Sequence, residues 1–216
     1  MIIEESFFDR LKQIYSVEEF CGYTDEDIDY IKGLFGNIPK ALEEYYRKAG
    51  RTEAFQRVQD TWFLPEHFKK WKWTQKSDYM ILLNENQGVC RAGIKREDLT
   101  LDNPPVYVTD DDKSWVLCAD TVSEFLSAAL AYEAVFVFEF CSDDIYELTG
   151  EEFSLIESRL EKYPFELKNW IDVNIKLYYT EMMMTIFRCF MVLQANRDTR
   201  NFLIQSVISE MKCEKL

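Results

Sequence analysis

The middle of the chain alternates apolar and polar positions as antiparallel strands do. Two short apolar runs, Tyr79 to Leu83 and Val89 to Ile94, flank a polar corner at 84–88 that ends in Gly88. Glycine readily adopts the positive φ that closing such a corner often requires. The pattern is therefore typical of a β-hairpin.

Two further strands and a helix are predicted after the hairpin. Pro104-Pro105 excludes a helix and leads into a strand at 106–108. The acidic run 110–112 predicts a turn before a fourth strand at 115–118. Thr121-Val122-Ser123-Glu124 has the spacing of a capping box and opens a helix. Together these elements predict a meander sheet closed by a helix.

Three amphipathic helices are predicted before the sheet. The first has an apolar face formed by Phe7, Phe8, Leu11, Ile14 and Tyr15. Thr24 caps the second, which stops at Gly36, and the third extends from Pro39 to Gly50.

The last third of the chain predicts a β-α-β-β-α order. A strand at 134–140 is followed by a helix after Thr149-Gly150 and by two strands, at 170–179 and 183–195. A final helix is expected to begin at Asp198 or Thr199 and to carry the apolar residues Phe202, Leu203, Val207 and Ile208.

These elements predict an α+β fold. Residues 1–134 are expected to form one α+β domain, and residues 135–216 an α+β extension packed tightly against it. Because no Pro/Ser-rich linker separates the two parts, a single continuous domain is the alternative.

The acidic composition limits the classes of partner. The net charge of −14 is spread along the chain. Such a charge repels nucleic-acid backbones and anionic membranes, and it speeds the encounter with a basic partner. The alternative is that the acidity only keeps the protein in solution.

Cysteines and apolar runs predict a cytoplasmic protein. The six cysteines contain no Cys-x-x-Cys pair, and no basic, apolar leader opens the chain. The most apolar window, 182–193, contains Arg188 and has about half of the ~20 residues that a membrane-spanning helix needs.

No residue pattern predicts an active site, a metal site or a cofactor site. The one histidine, His67, leaves few options for nucleophilic catalysis, and the seven glycines form no phosphate-binding loop. The acidic runs 25–27 and 110–112 could hold Mg²⁺, but a helix start and a strand turn explain them better.

A basic, tryptophan-containing run allows three interpretations. Its residues are Lys69, Lys70, Trp71, Lys72, Trp73 and Lys76. It could stack nucleic-acid bases, or it could use the indoles as anchors for a protein partner. We favour a third interpretation, in which a tryptophan face is buried and the lysines are solvated.

The order of several motifs resembles the SUKH superfamily, which contains bacterial toxin-immunity proteins and yeast cell-wall-synthesis regulators. The resemblance covers about residues 24–134. It rests on Ile31-x-x-x-Phe35-Gly36-x-Ile38-Pro39, Asn86-Gln87-Gly88-Val89, Asp102-x-Pro104-Pro105-Val106-Tyr107, Trp115 and Ser123-Glu124-Phe125-Leu126. One departure is Ala49-Gly50-Arg51-Thr52, which has one glycine where family members usually carry a Gly-rich polar pair.

This resemblance implies a non-catalytic immunity protein, which binds a polymorphic toxin and occludes its active site. The acidic composition suits a basic toxin, such as a nuclease. The alternatives are a regulatory scaffold like the yeast regulators and, third, a metal-dependent hydrolase. The residues expected to contact the partner are Asp110, Asp111, Asp112, Glu66 and Trp73.

Overall fold

The chain folds as an α+β protein with two antiparallel sheets. The structure is a computed structural model that describes residues 2–56, 58–136, 141–182, 186–195 and 202–208. The α-helices within these residues are α1 (Glu5–Tyr15), α2 (Asp25–Phe35), α3 (Lys40–Ala49), α4 (Pro65–Lys70), α5 (Val122–Val135) and α6 (Gly150–Arg159). The strands are β1 (Thr61–Trp62), β2 (Tyr79–Asn84), β3 (Arg91–Lys95), β4 (Val106–Thr109), β5 (Val116–Ala119), β6 (Cys141–Leu148), β7 (Glu161–Lys162), β8 (Leu167–Trp170), β9 (Val173–Met182), β10 (Ile186–Ala195) and β11 (Phe202–Ile208).

The three predicted N-terminal helices are confirmed as α1, α2 and α3. The side chain of Thr24 accepts a hydrogen bond from the backbone N–H of Asp27 at 3.3 Å, which caps α2. Gly36, with φ of 83°, ends the same helix. The buried faces of these helices join the main core.

The predicted meander is also confirmed. The first sheet has the strand order β1-β2-β3-β4-β5, and each pairing is antiparallel. Gly88 lies in the β2–β3 corner with φ of 75°. Thr121 caps α5 by accepting a hydrogen bond from the backbone N–H of Glu124 at 3.2 Å. The apolar residues Val122, Phe125, Leu126 and Ala129 of this helix are buried.

The second sheet differs from the prediction in its first and its last element along the chain. Its strand order is β6-β11-β10-β9-β7, with β8 also paired to β9. Ala134 and Val135, expected to start a strand, instead end α5; residues 137–140 lie outside the described residues, and the first strand of this sheet begins at Cys141.

The predicted final helix is wrong, because residues 202–208 form strand β11. Asp198 and Thr199, its expected first residues, lie outside the described residues. Phe202–Ile208 pairs with β10 on one side and with β6 on the other. The sequence FLIQSVI is compatible with either a helix or a strand, so pairing with these neighbours decides its conformation. The short strands β7 and β8 were not predicted.

The second sheet packs against α5 and β5. Tyr163, Leu167 and Trp170 belong to the same buried apolar cluster as the residues of α5. The side-chain amide of Asn169 donates a hydrogen bond to the carbonyl oxygen of Leu117 at 2.9 Å. Lys168 forms an ion pair with Asp120 at 2.8 Å. In the described part of the chain, no helix has the length and apolar character needed to cross a membrane.

Candidate functional site

A groove of about 900 Å³ lies over one face of the first sheet, and we call it the aromatic groove. Its lining comes from residues 73–79, from the end of β3 and the residues after it, and from the β4–β5 turn. The lining residues are aromatic (Trp73, Tyr79 and Trp115), basic (Lys76, Lys95, Arg96 and Lys113), acidic (Asp78, Glu97 and Asp112) and neutral (Ser77).

Strand alternation places the aromatic residues on the outer face of the sheet. Tyr79 pairs with Lys95 in the β2–β3 register, while the next pair, Met80 and Ile94, is fully buried. The ring of Tyr79 stacks on Trp115 with centroids 3.7 Å apart and planes within 7°. Tyr107 meets the ring of Tyr79 edge to face at 6.0 Å. The rings thus support one another before any ligand is present.

Gly93 allows the sheet to carry these rings. It lies opposite Tyr107 in the β3–β4 register. A Cβ atom at Gly93 would lie 2.9 Å from the carbonyl oxygen of Met80 and 3.3 Å from the Cβ of Tyr79. Only glycine fits at this position without moving the backbone of β2.

Trp73 stands at the rim of the aromatic groove and is 46% exposed. One side of its indole packs against Phe63, with ring centroids 5.9 Å apart. The guanidinium of Arg91 lies 5.1 Å from the centre of the Trp73 ring. The same Arg91 places its Nε 3.3 Å from an Oδ of Asp112. Two of the five expected contact residues, Trp73 and Asp112, are therefore joined through Arg91.

The other two aspartates of the acidic run have different positions. The carboxylate of Asp111 accepts hydrogen bonds from the backbone N–H groups of Ser114 at 2.7 Å and Lys113 at 2.8 Å. These bonds lower the pKa of Asp111 below its usual value. Asp111 therefore shapes the β4–β5 turn. Asp110 is exposed and lines a smaller neighbouring cavity.

Glu66, the fifth expected contact residue, does not line the aromatic groove. It lies on α4 and accepts a hydrogen bond from the hydroxyl of Tyr23 at 3.0 Å. Burial, and then the charge of Glu66, raise the pKa of Tyr23 above its ordinary value. Glu66 thus links α4 to the segment before α2.

The tryptophan–lysine run is divided between the end of α4 and a 3-10 helix at Lys72–Gln75. Trp71 is half-buried and stacks on His67 with ring centroids 4.8 Å apart. The Nδ1 of His67 accepts a hydrogen bond from the backbone N–H of Leu64 at 3.1 Å, at the start of α4. Lys69 pairs with Asp27 at 3.2 Å. Of the two tryptophans in the run, only Trp73 contributes to the groove.

Two carboxyl groups are buried together at the end of α5. Asp60 is 4% exposed and Glu133 is fully buried. The backbone N–H of Asp60 donates to a carboxyl oxygen of Glu133 at 3.1 Å, and the backbone N–H of Asn86 donates to Asp60 at 3.0 Å. Burial raises the pKa of both groups, and that of Glu133 to about 9. At neutral pH the pair therefore retains a proton.

Sequence reasoning missed this pair and most of the groove. A signal for the pair is present, because Glu133 is the one charged residue in the apolar run 125–138. For the groove, Arg91-x-Gly93-x-Lys95 places polar side chains on one face of a strand, but the sequence does not indicate which aromatic rings would join them. Within the described residues, no group of three or more His, Cys, Asp and Glu side chains is arranged to hold a metal ion.

Comparisons of the chain with protein-family models, with curated proteins and with solved structures give no match. The resemblance to the SUKH superfamily therefore rests on the sequence motifs.

Proposed function

We propose that this chain is a non-catalytic immunity protein, which binds a toxin protein through the aromatic groove and occludes the toxin's active site. The observation that carries the protein-binding part is Trp73, an exposed indole held between Phe63 and Arg91 at the rim of the groove. Tryptophan and arginine are the residue types most enriched among those that dominate binding energy at protein interfaces. The toxin as partner comes from the motif resemblance.

The ordering of the groove in the free protein favours binding. A side chain that is already fixed loses little conformational entropy when a partner covers it. Arg91 is fixed by Trp73 and Asp112, and Trp115 is fixed by Tyr79. A standard interface of about 1,600 Å² would extend beyond this groove and onto the surrounding surface.

The charge of the whole protein supports a basic partner, such as a nuclease toxin. A net charge of −14 steers a positively charged protein towards the surface from a distance. The steering acts through the sum of all charges, so it does not require an acidic residue at the contact itself. Association is therefore expected to slow at high ionic strength.

The test is to co-express the chain with the toxin-like product of the adjacent reading frame. A 1:1 complex and protection of the cells are expected. Trp73→Ala should weaken the complex about 30-fold, the effect of losing a strong interface anchor. The matched control is Leu155→Ala on α6, which truncates a side chain that is 48% exposed outside the groove. An equimolar chain that leaves the toxin fully active would overturn the proposal, and so would equal weakening by the two variants.

A further inference from the structure

The charge of the aromatic groove is opposite to that of the chain. Its lining contains four basic residues and three acidic residues, in a protein whose net charge is −14. The excess of positive charge is therefore local, and it lies beside Trp73, the exposed indole at the rim of the groove.

Internal ion pairs strengthen this reversal, because they neutralise two of the three carboxylates. Glu97 pairs with Lys95, and Asp112 pairs with Arg91 from outside the lining. Asp78 is the remaining carboxylate. Three cations remain, and none of them forms an ion pair with a carboxylate of the described residues: Lys76, Arg96 and Lys113.

One of these cations is held in place. The Nε of Arg96 donates to the carbonyl oxygen of Ser77 at 2.6 Å, and its guanidinium lies 4.8 Å from the centre of the Phe35 ring. These contacts orient Arg96 without neutralising its charge. Lys76 and Lys113, in contrast, are exposed and solvated.

From these charges we infer that the aromatic groove takes an acidic segment of the partner protein, with one large apolar side chain against Trp73 and carboxylates facing Lys76, Arg96 and Lys113. The inference rests on the proposed function and specifies the part of the partner that enters the groove. A basic toxin can present such a segment, because steering depends on its total charge and the contact depends on local charge.

A peptide suits the groove better than a single-stranded nucleic acid. Bases bind by stacking on free aromatic faces. Here Tyr79 and Trp115 cover each other, and Arg91 lies over Trp73. The net charge of −14 on the chain as a whole would also repel a continuous phosphate backbone, which extends beyond the groove.

The inference is tested by selecting a displayed library of random dodecapeptides on the purified full-length chain. The selected peptides are expected to be acidic and to contain a large apolar residue. Selection on the double variant Lys76→Glu/Lys113→Glu should yield basic peptides, and this variant should bind the best acidic peptide about tenfold more weakly. Both lysines are exposed, so an unchanged melting temperature and circular dichroism spectrum are expected for the variant.

The matched control is Lys12→Glu/Lys40→Glu, which changes the total charge equally at exposed positions outside the groove. It should keep the preference for acidic peptides. Neutral or basic peptides on the wild-type chain would overturn the inference, as would acidic peptides whose binding ignores the groove variant. The inference would also be overturned if a single-stranded oligonucleotide bound the wild-type chain but did not bind the Lys76→Glu/Lys113→Glu variant.

The outcomes separate this inference from the proposed function, because the peptide selection requires no toxin. Protection from the toxin without a preference for acidic peptides would remove the inference and leave the proposed function standing. A groove-dependent acidic preference without protection would instead remove the immunity role.

Discussion

Carboxylates lie in two contrasting regions of this protein. In the aromatic groove, Glu97 and Asp112 are solvated at the surface and paired with cations. At the end of α5, Asp60 and Glu133 are withdrawn from water, and the near neighbour of each is another carboxyl group. Solvated pairs contribute little to folding and are free to serve recognition. The buried pair couples folding to protonation, since a lone ionised carboxylate is costly to bury.

The largest expected effect is a loss of stability on removal of the buried carboxyl. Glu133→Ala takes away the acceptor of the Asp60 backbone N–H and leaves a cavity in the core. We expect the free energy of unfolding in urea at pH 6 to fall by about 4 kcal/mol. The control is Glu97→Ala in the groove, which should change the free energy of unfolding little. Equal losses would mean that the two regions do not differ as described.

The second expected effect is the dependence of stability on pH. The folded chain holds the Glu133 proton up to about pH 9, whereas an unfolded glutamate releases it near pH 4.3. The stabilisation of the folded chain by the Glu133 proton is therefore complete below about pH 4.3 and is lost as the pH rises towards 9. Relative to Glu133→Gln, whose amide does not titrate, the wild-type chain should lose stability steadily across this range, by at most about 1.4 kcal/mol per pH unit.

The check for the pH effect is a series of urea denaturation curves between pH 5 and pH 9. The exposed residue Glu151 provides the matched variant, Glu151→Gln, which should retain the wild-type slope. Parallel stability profiles for wild type and Glu133→Gln would show that the buried pair does not govern the slope.

A smaller effect on stability is expected at the β4–β5 turn, where two neighbouring aspartates, Asp111 and Asp110, can be compared. Asp111→Ala removes the acceptor of two backbone N–H groups, and we expect the melting temperature to fall by about 3 °C. Asp110→Ala removes only an exposed carboxylate and should leave the melting temperature unchanged. Calorimetric scans of the two variants measure the difference, and a fall with Asp110→Ala alone would contradict the assignment.

The smallest expected effect concerns the ion pair of the groove itself. Asp112→Asn should leave the melting temperature unchanged, because the pair with Arg91 is largely solvated. The same variant should alter binding at the groove, since it frees the charge of Arg91 beside Trp73. A drop in stability comparable to that of Asp111→Ala would show that Asp112 also supports the turn.

The parts of the fold that could be predicted are those coded by neighbouring residues. Thr24 and Gly36 mark the ends of α2, and Gly88 marks the corner of the first hairpin, because each acts on backbone within three residues of itself. Strand β11 could not be predicted in this way, because its conformation depends on pairing with β10 and β6.

The site shows the same division. Trp73 and Asp112 were identified from their types and positions, and the structure brings both into one groove. Asp111, also an expected contact residue, shapes a turn, since backbone geometry determines which carboxylate of the run accepts the N–H groups of Lys113 and Ser114. Arg91, which joins Trp73 to Asp112, was missed because the three residues are far apart in sequence.

The contact between Asn169 and the Leu117 carbonyl has a practical consequence for shortened versions of the chain. Strand β5 is the last strand of its sheet, and the segment around β8 covers it. Expression of residues 1–134 alone would leave that strand uncovered, with its backbone groups open to a second molecule. Such a fragment is expected to self-associate edge to edge, so its solution mass would mislead about the oligomeric state of the full-length protein.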